Sequence, residues 1–423
     1  MSLLKKILYK SLTYAFYPFA FFLVIIIRLI SPFYLIRWNC TISTRIGHYV
    51  ENMNIYLSER EMKKNKINVK YLDIFYDRER ICNKQVQKMM RRKVFFLPWF
   101  IMHPISTLNE FFFDKIYDSK RKHDIGYYRE IGKVEKNLVA PLSSFDSLNS
   151  QVEAKIQLFF TPGEIDEGNR NLNKIGINLE NEIVCIILRD KDYLENNYKE
   201  IDFDHHSHRD TDLSFYEESI EYLIKKNIKV IVFGCKREKL KSENLKKETN
   251  IFFYEEIDVK SDLMNIYFLY KSKFTISSVT GLDSVPASFK IPIIEVGFVP
   301  FALQRTYSKL YLSMFKNYYS KTLNRCLTMS EIFENDLHTI HGDSDLRDEI
   351  EFIHPSKEDI LNSCIEMMKK INNNYDNYNS ENQKSFRKLY NFNINKYYPQ
   401  RSVLINYGTI AEDFLNKNKF ILI

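Results

Sequence analysis

Residues 274–296 read FTISSVTGLDSVPASFKIPIIEV. The apolar run Phe274–Ser277 stops at small and polar residues, a short helical stretch follows at 282–289, and a second apolar run begins at Ile291 and reaches Val296. Strand, tight turn, helix and strand in so little chain predict parallel strands joined by a right-handed crossover. The same alternation extends upstream. Glu182–Leu188 (EIVCIIL) has the unbroken apolar character of a parallel strand covered on both faces. A polar segment at 190–212, a helix at 213–226, a strand at Ile228–Phe233 ending on Gly234, a strand at Ile251–Tyr254 and a helix at 262–271 follow in order.

The N-terminal half carries the pattern more weakly. Trp38–Ser43 is a short strand candidate, Thr44–His48 a polar turn, and 49–64 a helix with Met53, Tyr56 and Leu57 on one face. Val69–Tyr76 is a strand candidate and 81–92 a basic helix. VFFLPWFIM at 94–102 reads as a buried strand or a second apolar patch, and 103–150 as short helices and loops. Glu164–Gly176 looks helical and ends at a glycine. Helices are also expected at 356–372 and 400–418, with the loop NNNYDNYNSENQ between them. The fold class is therefore α/β, in two halves with parallel sheets. The expected division is 1–37 as an apolar membrane-associated segment, 38–175 as an N-terminal α/β domain, 176–355 as a C-terminal α/β domain, and 356–423 as helices packing back across both. Ligands of such folds lie in a cleft beyond the carboxyl ends of the strands.

Composition narrows the function. The chain has 423 residues, enough for two or three domains. Six scattered cysteines without a C-x-x-C pair argue against a zinc ribbon or a disulfide scaffold. The formal net charge is +7, yet residues 1–50 hold Lys5, Lys6, Lys10, Arg28, Arg37 and Arg45 with no acid. The remaining 373 residues carry 55 basic and 54 acidic groups, so the body lacks the broad basic footprint of a nucleic-acid binder. Ser11–Ile27 is uncharged, and 17 residues is the short end for a spanning helix. Pro18 and Pro32 interrupt the apolar stretch, and positive residues flank it on both sides. A spanning anchor, an in-plane anchor and a buried core helix all remain open, and either membrane form sets basic residues against anionic lipid.

Four places could carry chemistry. Arg189 ends the strand EIVCIIL, where its planar donor fork would meet a phosphate; the plainer alternative is an ion pair with a nearby acid. Arg209, in HHSHRDTD at 205–212, is a second phosphate clamp candidate, and Asp212 a candidate N-cap. The spacing H-H-x-H matches no recognised metal site. Ser277, Ser278, Thr280 and Gly281 form a turn between a strand and a helix, where hydroxyls and free backbone N–H groups suit an anion; a plain capped turn is the alternative. Arg45, Gly47 and His48 sit at the first turn of the N-terminal half, with His48 a candidate general base or an ordinary surface histidine. Asp-x-Asp pairs at 202–204, 210–212 and 343–345 could hold a divalent ion, but none follows an apolar strand directly, so no metal or other cofactor is expected. No Walker A, G-x-G-x-x-G, G-x-S-x-G or H-E-x-x-H motif is present.

At these residues the chain resembles a family of inferred bacterial glycosyltransferases encoded among surface-polysaccharide genes. The matching segments are TRIGHYVENMNIYL (44–57), YLDIFYDRERICNKQVQKM (71–89), VCIILRDKDYL (184–194), HRDTDLSFYEESIEYLIKKNIKVIVFG (208–234) and SSVTGLDSVPASFKIPIIEVGFVP (277–300). They span most of 40–335 in order, and the family also tends to begin with an apolar segment. The resemblance implies a GT-B-like pair of Rossmann-type domains, with the acceptor side on the N-terminal one and the nucleotide-sugar donor mainly on the C-terminal one. At longer range the chain is similar to fucosyltransferase-like enzymes, in which a strand-end arginine contacts the donor diphosphate; Arg189 occupies that kind of position. Their usual pattern is His-x-Arg, whereas Ile187 and Leu188 precede Arg189 here, so a histidine role at that point is lost.

The expected activity is transfer of a sugar from a nucleotide-sugar donor to a lipid-linked glycan, with residues 1–37 in membrane lipid and the body on the cytoplasmic face. Arg189, Arg209 and the 277–281 turn would neutralise the departing diphosphate. Inverting transfer would need a base such as His48; retaining transfer would not. A nucleotide-sugar epimerase on the same fold would have no use for the apolar segment. A non-catalytic membrane scaffold would tolerate loss of both arginines.

Overall fold

The computed structural model describes residues 3–62, 69–78, 80–114, 123, 125, 150–189, 210–304, 310–340, 349–373, 375–397 and 407–423. The chain forms two compact units, Met1–Ser150 and Gln151–Ile423.

The first unit opens with helix α1, Leu3–Ile30. It continues through strand β1 (Tyr34–Thr41), helix α2 (Ile46–Glu61), strand β2 (Lys70–Asp77), helix α3 (Lys84–Arg91), the two-residue strand β3 (Phe95–Phe96) and helix α4 (Trp99–Asn109). The three strands are parallel in the order β1-β2-β3. Arg37 and Asp73 face each other across β1 and β2 and are buried. Arg37 Nε and Nη2 donate to the two Asp73 oxygens at 2.7 and 2.6 Å, and the Tyr56 hydroxyl donates to Asp73 Oδ2 at 2.6 Å. A one-residue slip of either strand would turn its charge to the opposite face and leave both charges unpaired, so this pair holds the register.

Two expectations change here. The apolar run at 94–102 divides into the two-residue strand Phe95–Phe96 and, from Trp99, the start of helix α4. Pro98, extended at φ −60°, ψ 143°, stands at the N-cap of α4, and Met102 and Ile105 then point into the core with helical spacing. A short apolar run does not distinguish strand from helix by periodicity. Helix α2 also starts earlier than expected, so Gly47 and His48 belong to its first turn and Arg45 is its N-cap residue. Pro18 lies inside a continuous α1, and the helix ends before Pro32.

The second unit is built on seven parallel strands: β4 (Ile183–Ile187), β5 (Lys229–Phe233), β6 (Ile251–Phe253), β7 (Phe274–Ser277), β8 (Ile293–Phe298), β9 (Tyr311–Phe315) and, after a small antiparallel sheet, β13 (Thr409–Ile410). The antiparallel sheet has the order β11-β10-β12, from β10 (Asn317–Ser320), β11 (Arg325–Cys326) and β12 (Ile350–Ile353). The large sheet runs β13-β9-β8-β7-β4-β5-β6. Its first six strands thus follow the doubly wound order 3-2-1-4-5-6 of a Rossmann-type domain. The structure brings out β9–β12 and the Glu381–Tyr397 helix, which did not stand out in the sequence, and within the stretch 400–418 expected as helix it places β13 and the short helix Glu412–Lys417.

The helix Pro162–Lys174, expected in the first domain, belongs to the second unit. Tyr267 donates to Asn169 Oδ1 at 2.6 Å, and a Cβ at Gly168 would lie 2.5 Å from the Tyr267 ring. Lys290 Nζ also binds the carbonyls of Gln151 and Val152, each at 2.7 Å. These ties place the break at 150/151 rather than 175/176.

Gly234 has φ +89°, and a Cβ there would stand 2.1 Å from the Leu188 carbonyl oxygen, against β4. Gly234→Ala should therefore cost about 2 kcal/mol or more, seen as a lower denaturant midpoint with an unchanged slope.

Candidate functional site

In the second unit the chain leaves β4 toward β5 on one side and later returns to place β7 on the other. The two connections diverge there and leave a crevice at the carboxyl ends of β4 and β7. Arg189 stands two residues beyond β4, and Ser278 one residue beyond β7. The Ser278 N–H donates to the Ile187 carbonyl at 3.0 Å, and the Arg189 N–H donates to Ser278 Oγ at 2.9 Å. The structure thus brings together two residues that lie 89 positions apart.

The Arg189 side chain is 12% exposed, and its Nε donates to Asp210 Oδ1 at 2.9 Å. The ion-pair alternative is realised. Burial lowers the guanidinium from its ordinary value, and the Asp210 charge and hydrogen bond pull it back up. An arginine stays protonated under such opposing influences. A cation at the switch point, steadied by one carboxylate, is suited to receive a diphosphate.

The β7 turn is built differently from the expectation. Thr280 caps the three-residue turn Gly281–Asp283, and Leu282 N–H donates to Thr280 Oγ1 at 3.2 Å. Asp283 is 1% exposed and supplies the anion that this turn holds. It accepts from Ser277 Oγ, from the Thr280 N–H at 2.9 Å and from Thr280 Oγ1 at 3.2 Å. Ser277 and Thr280 therefore support the turn rather than offer their hydroxyl protons to a phosphate. Ser278 ties it to Arg189, and Gly281 is exposed. Asp283 fell within the segment singled out in the sequence, at the N3 position of a capping box, and its spacing from Thr280 was the available signal.

A further group gathers where β9 and β12 end. Lys316 follows β9 and is buried; His354 follows β12. Gly297, at φ +74° in a register break of β8, admits both: a Cβ there would lie 3.3 Å from Lys316 Cε and 3.4 Å from His354 Cδ2. His354 Nδ1 is 2.8 Å from the Pro355 carbonyl, an acceptor only, so the proton sits on Nδ1. Nε2 then accepts from the Thr211 hydroxyl at 3.3 Å. Thr211 follows Asp210, so the group is linked through the chain to the Arg189 pair. Burial, and then the Lys316 charge, push His354 down to about 4.

Asp212 is an N-cap as expected, accepting from Ser214 N–H at 2.7 Å. Arg209, His205, His206, His208 and the aspartates at 202, 204, 343 and 345 lie outside the described residues. Among the described residues no cluster of three or more His, Cys, Asp or Glu side chains could hold a metal ion.

In the first unit, Arg45 is exposed, while Gly47 and His48 are half-buried. Beside this turn, at the carboxyl end of β2, lies an unpredicted carboxylate. Asp77 accepts from Thr41 Oγ1 at 2.5 Å, Tyr49 OH at 3.1 Å and Gln87 Nε2 at 2.6 Å.

No family model matches the chain, and no curated protein matches it. Among solved structures the chain is similar to a glycosyl transferase family 9 protein from Veillonella parvula, at 9% identity and a TM-score of 0.44, over 80% of this chain and 96% of that one. It is similar to E. coli ADP-heptose lps heptosyltransferase II at 11% identity and a TM-score of 0.36, over 62% and 83% of the two chains. UDP-GlcNAc 2-epimerase from Methanocaldococcus jannaschii, in complex with UDP-GlcNAc and UDP, matches at 11% identity and a TM-score of 0.26, over 67% and 89%. At these scores the likenesses carry no functional weight.

His354 has its folded-state pKa below the ordinary 6.5. Its neutral form is the native one, so the stability it contributes is present above about pH 6.5 and is lost as pH falls toward 4. His354→Gln should flatten that part of the curve of unfolding free energy against pH, measured by denaturant titration.

Proposed function

We propose that the protein is a glycosyltransferase that moves a sugar from a nucleotide-sugar donor to a lipid-linked glycan in surface-polysaccharide synthesis. The supporting observation is the switch-point crevice of the second unit, where the Arg189 N–H is held by the Ser278 hydroxyl and the Asp210 carboxylate steadies the arginine side chain. In this reading the unit binds the donor as in GT-B enzymes, and Arg189 contacts its diphosphate, with Arg209 as a second clamp.

Transfer breaks the bond between the anomeric carbon and the diphosphate oxygen. The electron pair leaves with the nucleoside diphosphate, and the acceptor hydroxyl oxygen bonds to the anomeric carbon. The fixed cations stabilise the charge as it develops on the leaving group, without reorganisation at the moment of reaction. In an inverting reaction the acceptor proton passes to a base, for which His48 is the candidate, with Arg45 and Gly47 in the same acceptor-side turn. A retaining reaction needs no such base. No metal is required in this scheme. Helix α1 would hold the protein at the cytoplasmic face of the membrane, where the lipid-linked acceptor and cytosolic nucleotide sugars meet. Among the described residues one helix, Lys10–Ile30, is long and apolar enough to cross a bilayer. That segment favours the transferase over an epimerase of soluble sugars.

A thermal-shift screen against UDP, GDP, CMP, ADP and dTDP and their common sugars tests this. One nucleotide should stand out, by about 2.7 kcal/mol at a hundredfold excess over its Kd. Arg189→Ala should fold and lose that shift. Uniform silence from a folded sample would contradict the reading.

A further inference from the structure

Helix α1 has two unlike faces. Inward, Ala20 and Val24 are fully buried in a core with Trp38, Ile74, Met102 and Ile105. Arg28, the one charge between Ser11 and Ile36, turns to α4, where its Nε donates to Asn109 Oδ1 at 2.7 Å. Outward, Tyr14, Phe19, Phe22, Ile26 and Leu29 recur at helical spacing and are 73, 67, 64, 52 and 71% exposed, and Phe33 in the turn that follows is 82% exposed. The apolar surface continues past the end of α4. Phe21 meets Phe112 edge-on, with ring centroids 5.7 Å apart, and the neighbouring Phe111 is 58% exposed.

From this we infer that the first unit is embedded in a single leaflet, with α1 lying along the membrane plane and Phe111–Phe112 as a second point of insertion. The inference rests on the membrane association proposed above and adds its geometry. A crossing helix needs hydrocarbon around it over roughly 30 Å. Here β1 and α4 pack against α1, so crossing would carry an open three-stranded sheet into the bilayer. Irregular and edge backbone is not tolerated there. Lying flat, α1 keeps its packed side on the protein and gives only its aromatic side to lipid. Lys5, Lys6 and Lys10 at the start of α1, in a stretch 1–50 without an acid, match an anionic headgroup layer.

The full chain should be tested on vesicles of phosphatidylcholine with phosphatidylglycerol. Tags at both termini should be cut equally by protease added outside, and tryptophan placed at Phe22 or Phe111 should be quenched by lipids brominated in the outer leaflet. Phe22→Asp and Phe111→Asp should each lower vesicle partitioning at least tenfold, with an unchanged circular dichroism spectrum. An N-terminal tag protected inside the vesicle would establish a spanning helix and overturn the inference while leaving membrane association intact. Wild type remaining in the soluble fraction would overturn both. Unchanged partitioning of Phe111→Asp would remove the second insertion point. A dimer that Phe22→Asp splits, with partitioning unaffected, would make this face a contact between copies of the chain.

Discussion

The site depends on a reciprocal backbone contact between two strand ends. Ser278 donates its N–H to Ile187 and accepts, through its hydroxyl, the N–H of Arg189. Both strands are buried and parallel, so their register is set by packing on both faces. The contact converts that register into the position of a cation at the crevice mouth. Asp210 and Asp283 then hold the arginine and the turn by charged hydrogen bonds in a partly desolvated setting, where such bonds are shorter and stronger than neutral ones. The two carboxylates fix the frame and leave the Arg189 guanidinium at the strand ends.

How much of this was legible beforehand follows from the range of each interaction. The strands of the doubly wound core announce themselves as apolar runs ending in small residues, and Arg189 is marked by ending one of them. Asp210 lies 21 residues away, and no local pattern pairs it with Arg189. Lys316 and His354 come from strands whose own signal is weak: β12 is a half-exposed strand of four residues, and β9 a five-residue strand. Their meeting over Gly297 is a tertiary fact. Asp77 closes a strand whose apolar pattern is plain, but its three donors arrive from three elements. The 94–102 run shows the opposite case, where the apolar signal was strong and its period too short to name the element.

Burial of charge is used for different ends in the two units. Arg37 and Asp73 are removed from water at facing positions of β1 and β2, where the cost of leaving either unpaired enforces one register. Arg189 and Asp210 are only partly removed, at the end of a strand rather than in its middle. The first arrangement is suited to specifying a fold, and the second to meeting a ligand. Helix α1 extends the contrast: Arg28, its one charge beyond Ser11, is turned into the protein, which leaves the outward face apolar from Tyr14 to Leu29.

Photo-crosslinking with an azido-nucleotide of the responding base, followed by peptide mapping, addresses the donor site directly. The account predicts label on the peptides around Ile187–Arg189 and Ser278–Asp283, competed by the unmodified nucleotide diphosphate. Competable label confined to the first unit, or to the second unit away from these two strand ends, would contradict it.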